Sequence, residues 1–151
     1  MGVSVKVQPP SLWIRTVAVW LLIAALETVH GIVRGLWLVP ALGEPAAQHL
    51  GFAVGSALAL AVAWATSPWL GATTRAAQLQ AGALWLLLML GFELLVARAR
   101  GFAWERVAAE FDPRQGGLML FGLLLMGLAP MLGAWLRGQR RMRARARRRC
   151  T

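Results

Sequence analysis

Glu27, His30 and Arg34 stand in an otherwise apolar stretch, residues 20–37, WLLIAALETVHGIVRGLW. A carboxylate, an imidazole and a guanidinium can pair with one another, hold an ion, or relay a proton, imidazole being the side chain that ordinarily changes charge near neutrality. At about 100° per residue in a helix the three share one stripe, with Gly31 and Gly35 beside it. An ionisable group at the centre of a membrane costs roughly 2.5–3.5 kcal/mol on insertion scales, so the stripe is expected to face a neighbouring helix and not lipid. Glu93 and Arg100 repeat the spacing of Glu27 and Arg34 and complete the candidate cluster, with His49 near its outer end.

Three kinds of chemistry compete for this cluster. The leading one is structural: Glu27 and Glu93 pair across a helix interface with His30, Arg34 or Arg100 and hold the helices in register. The second is a polar cavity that passes protons or binds a small ion or anion through Glu27, His30 and Glu93. It would need a homo-oligomer or a larger membrane complex, since the second and fourth apolar windows offer almost no polar lining. The third is a metal or haem site on Glu27-x-x-His30. Di-metal helical sites use that motif twice, and Val96 occupies the position corresponding to His30, so neither a metal nor a cofactor is expected. No Ser/His/Asp or Cys/His set and no glycine-rich phosphate loop can be assembled, so an enzyme is not expected either.

The elements that must position the cluster follow from composition. Of 151 residues 58% are apolar, and they fall into four windows, about 16–38, 50–66, 79–97 and 118–136, each long enough for a hydrocarbon core about 30 Å thick. The expected fold is all-α, a transmembrane four-helix bundle. A lead of residues 1–15 precedes the four-span domain of residues 16–136, and a basic tail of residues 137–151 follows it. Pro40 and Ser67-Pro68 are expected to end the first two spans, with a loop over residues 41–48, and Pro130 to kink the fourth. In the second span Gly51, Gly55, Ala59 and Ala63 recur every fourth residue, a small-residue face on which another helix packs closely. Residues 98–115 hold a short amphipathic helix for the interface, with Glu105, Glu110 and Asp112 read as solvated charges.

An offset of 66 residues relates Glu27-x6-Arg34-Gly35-x-Trp37 to Glu93-x6-Arg100-Gly101-x-x-Trp104, the pattern of a duplicated helical hairpin or a coincidence. A true duplication would relate the halves by an axis along the membrane normal.

Charge sets the orientation. The formal net charge is +10. Lys6, Arg15, Arg75 and the eight arginines of residues 137–149 give eleven basic residues on the side of the termini, against five (Arg34, Arg98, Arg100, Arg106, Arg114) on the other. Both termini are therefore expected in the cytoplasm. The tail arginines Arg140, Arg141, Arg143, Arg145, Arg147, Arg148 and Arg149 would lie on anionic lipid head groups, each contributing roughly 1 kcal/mol. Without aromatic interleaving or a folded reading element, specific nucleic-acid binding is not expected. One Lys against fifteen Arg matches a GC-rich bacterial genome, and the single Cys150 excludes an intrachain disulfide.

The pattern Glu27-x-x-His30-Gly31, Phe92-Glu93, Trp104 through Phe111-Asp112, and Gly116-Gly117-Leu118 resembles a group of small bacterial four-span integral membrane proteins with no known activity. The likeness covers most of residues 16–136. It implies the fold and a location in the bacterial cytoplasmic (inner) membrane, and no activity.

Overall fold

The computed structural model describes residues 11–149, with side chains through residue 139. The lead before Ser11, including Lys6, and Cys150 lie outside the described residues, as do the side chains of the tail arginines from Arg140 onward.

Five helices account for nearly all of the described chain: α1 (Leu12–Leu42), α2 (Glu44–Leu70), α3 (Arg75–Ala99), α4 (Trp104–Phe111) and α5 (Met119–Arg149), with one short 3₁₀ turn at Pro113–Gln115. There is no strand among the described residues. Four of the helices, all but α4, are long and apolar enough to cross a membrane. The two longest, α1 and α5, have 31 residues each, which at 1.5 Å per residue extends about 46 Å.

Two prolines do not end their helices. Pro40 sits inside α1, just beyond a widened π turn over Arg34–Leu38 in which the Val39 N–H bonds the Arg34 carbonyl, and α1 runs on to Leu42. A proline removes one helical donor and crowds the carbonyl four residues back, here that of Leu36, which lies within the wider turn. The expected loop of residues 41–48 shrinks to a single corner, Gly43, with φ of 79°. Pro68 likewise lies inside α2, which ends at Gly71 in the left-handed region.

The donor that Pro68 lacks would have reached the carbonyl of Trp64. That oxygen is bonded instead by Arg137 Nη1 at 2.7 Å and by the Ser67 hydroxyl at 3.0 Å. Arg15 treats the end of the same helix in the same way, its Nη1 donating to the Trp69 carbonyl at 3.0 Å. Two arginines from α1 and α5 thus close the final turns of α2, and the end of the molecule that carries Arg15, Arg75 and Arg137 is its basic end.

Helices α1 and α5 each pack on both α2 and α3, which leaves α1–α5 and α2–α3 as the diagonals. The basic half is dense. Trp85 is fully buried and its Nε1 donates to the Thr16 carbonyl at 2.7 Å, while the buried Thr16 hydroxyl bonds the Leu12 carbonyl. Val19, Ile23, Ala63 and Ala129 belong to the same buried core. Backbones approach closely where glycine allows it: a Cβ on Gly82 would collide with the Gly127 carbonyl, and one on Gly133 would lie 2.7 Å from the Ala63 carbonyl carbon. Helix α5 continues unbroken to Arg149, as a run of Arg and Ala without Gly or Pro after Gly138 favours.

Candidate functional site

At mid-length α1 changes character, and the contacts beside it open into a cavity of about 730 Å³. The stripe predicted from helical spacing lines it: Glu27, His30, Gly31, Arg34 and Gly35 from α1, joined by Glu93 and Arg100 from α3. Phe52 of α2, Phe92 and Met89 of α3, and Met119 and Met126 of α5 supply apolar walls.

The glycines of α2 form the floor. A Cβ on Gly55 would lie 2.8 Å from Glu27 Oε2, and one on Gly51 2.5 Å from Arg34 Cδ. The small-residue stripe therefore has two uses. Ala59 and Ala63, nearer the basic end, are buried in the core; Gly51 and Gly55 make room for charged side chains. Gly31 and Gly35, expected at a helix contact, have nothing within 4 Å of where a Cβ would stand. Their missing side chains widen the cavity and meet no helix.

Pairing within the cluster is sparse. His30 Nδ1 lies 3.4 Å from Glu27 Oε2, three residues apart on α1, the two side chains 15% and 23% exposed. Arg34 turns away from both and meets Glu44 across the Gly43 corner, Nη1 to Oε1 3.6 Å. The direct Glu27–Arg34 bridge that side-chain lean disfavours is absent from these contacts. Arg100 places its guanidinium 4.8 Å from the centre of the Phe102 ring, which Arg106 also approaches, at 4.2 Å. Glu93 is half-buried, within electrostatic reach of Glu27 and Glu110, and makes no hydrogen bond or ion pair with the described residues. The Nε2 atom of His30 is enclosed and likewise meets no hydrogen-bond partner there.

Glu44 and Glu110 were not among the predicted site residues. Glu110 lines the cavity from α4. It stays exposed there, as the reading of a solvated charge expects, next to Phe111, which packs on the core. No sequence signal marked Glu44, since the one-residue corner that brings it to Arg34 is a tertiary fact. His49 stays outside the cavity, its Nδ1–H donating to the Pro45 carbonyl at 2.7 Å.

Among the described residues no group of three or more His, Cys, Asp and Glu is placed to hold a metal ion. The cavity can accept hydrogen bonds and positive charge at Glu27 and Glu93. Comparison with models of known families, with curated proteins and with solved structures gives no match.

Proposed function

We propose that this chain is a multi-pass integral protein of the bacterial cytoplasmic membrane, a four-helix bundle with both termini inside, whose cavity receives a small ligand or ion without enzymatic chemistry. It is of the kind from which a small transporter or channel subunit is built, and it belongs with the small four-span proteins it resembles. Supporting the orientation, Arg15, Arg75 and Arg137 gather at one end, the end from which the arginine tail continues. On this reading α4 lies at the outer interface and the tail arginines rest on anionic head groups. A duplicated hairpin related by an axis along the membrane normal would set α1 opposite α3 and α2 opposite α5; here those pairs are neighbours, so the packing lends the duplication no support.

One observation carries the ligand reading over a purely structural network: the charged groups converge without neutralising one another. A scaffold of buried charges gains from pairing, and loses about 3–5 kcal/mol when a pair is broken. Here Glu93 has no cationic partner among the described residues, and the two ion pairs are long and lie within α1 or at the exposed Gly43 corner.

Thermal unfolding of Glu27→Gln and Glu93→Gln in detergent tests the reading. The expected shift is no more than about 4 °C, which corresponds to about 1 kcal/mol in a chain of this length. A loss of more than about 10 °C in both variants would make the cluster a scaffold and refute the ligand reading.

A further inference from the structure

The charge inventory of the cavity narrows its ligand. Of the two arginines that line it, Arg34 is drawn to Glu44 at the corner and Arg100 lies over the Phe102 ring. What remains is anionic: Glu27 at the midpoint of α1, with only a 3.4 Å contact to His30, and Glu93 on α3, within electrostatic reach of the exposed Glu110 and of Glu27. An anion would have to displace Arg34 or Arg100 from these contacts and approach two carboxylates at once. A cation meets both carboxylates directly.

The walls say more about its shape. Phe52, Phe92, Met89 and Met126 surround the carboxylates with aromatic faces and thioethers, surfaces that attract a diffuse positive charge and accommodate irregular apolar bodies. A hydrated metal ion would gain nothing from them. Access is lateral: α1 touches α3 through Trp85 with Thr16 and through Trp20 against Phe92 (ring centroids 6.3 Å apart), and past that level the cavity lies between the two helices. Ile32 and Leu36, also lining it, are 55% and 65% exposed, so the mouth has an apolar edge on α1 beside the exposed Arg100 and Glu110.

We propose that the cavity is a binding site for a lipophilic organic cation, an ammonium- or phosphonium-type charge on an apolar body, which enters from the hydrocarbon region and is held between Glu27 and Glu93. This rests on the reading of the cavity as a ligand chamber. It adds the sign of the charge and the apolar character of the ligand.

The test uses two ions of nearly equal size and shape and opposite charge. The full chain in maltoside detergent is titrated by calorimetry with tetraphenylphosphonium and with tetraphenylborate, against micelles alone. The expected result is saturable phosphonium binding at least tenfold tighter than borate binding, weakened at least tenfold by Glu93→Gln and by Glu27→Gln. Glu93→Asp, which keeps the charge, retains the preference for the cation and keeps the test valid should a neutral variant fail to fold. Tighter binding of the borate would overturn the cation assignment and leave the chamber standing, as an anion site on Arg34 and Arg100. Phosphonium binding that survives both neutral substitutions would place it elsewhere and overturn the assignment too. Saturable binding of neither ion would overturn both the assignment and the ligand reading.

Discussion

The two halves of the molecule solve opposite problems with the same kinds of residue. In the basic half, glycine and alanine bring backbones together and Trp85, Arg15 and Arg137 each donate to a carbonyl of another helix, although Arg15 Nε and Trp20 Nε1 are enclosed without a hydrogen-bond partner among the described residues. In the half beyond Glu27, glycine holds helices no closer; Gly51 and Gly55 lie under charged side chains, Gly31 and Gly35 face open space, and Glu93 and the His30 Nε2 atom are left without partners. Lipid tails are as apolar as any core, so helices in a membrane associate through packing and hydrogen bonds. One half meets that requirement by close backbone packing and bonds between helices, and the other stays open.

That contrast can be broken or sharpened by substitution, read as unfolding free energy in detergent. Trp85→Ala should cost most, about 3–5 kcal/mol, because it leaves a void at the centre of the dense half and strips the Thr16 carbonyl of its donor; a loss below 1 kcal/mol would mean that this half is not the structural one. Gly82→Ala should follow at about 1–3 kcal/mol, since the new methyl group meets the Gly127 backbone, which cannot step aside. Arg137→Met should cost about 1–3 kcal/mol by leaving the Trp64 carbonyl with only the Ser67 hydroxyl; a neutral result would show that this hydroxyl suffices. Smallest of all, Gly31→Ala and Gly35→Ala should stay within about 0.5 kcal/mol of wild type. A large loss at either would reveal a helix packed on the cavity mouth, such as one from a second copy.

The apolar runs made the four long helices legible, because a stretch of that length and composition has few alternatives. Helix ends were less so, and for one reason. By the rules of water-exposed helices Pro40 and Pro68 mark helix ends, yet here a widened turn precedes the one and a distant arginine bonds the carbonyl the other leaves free, and the helices stop only at Gly43 and Gly71. Within the site, the i, i+3 and i, i+7 spacing was enough to put Glu27, His30 and Arg34 on one wall. The partners of that wall depend on tertiary placement. Arg34 finds Glu44 because the intervening turn is one residue, and Glu110 reaches the cavity because α4 folds back onto the core.

The bond from Arg137 to the Trp64 carbonyl spans 73 positions in the chain, and it sets an order on biogenesis. A ribosome delivers α1, α2 and α3 before Arg137 exists. Until then the carbonyl freed by Pro68 has only the Ser67 hydroxyl beside it, and the first hairpin is made with its basic end incomplete. Completion is posttranslational with respect to that hairpin: the last helix to be inserted is the one that closes it.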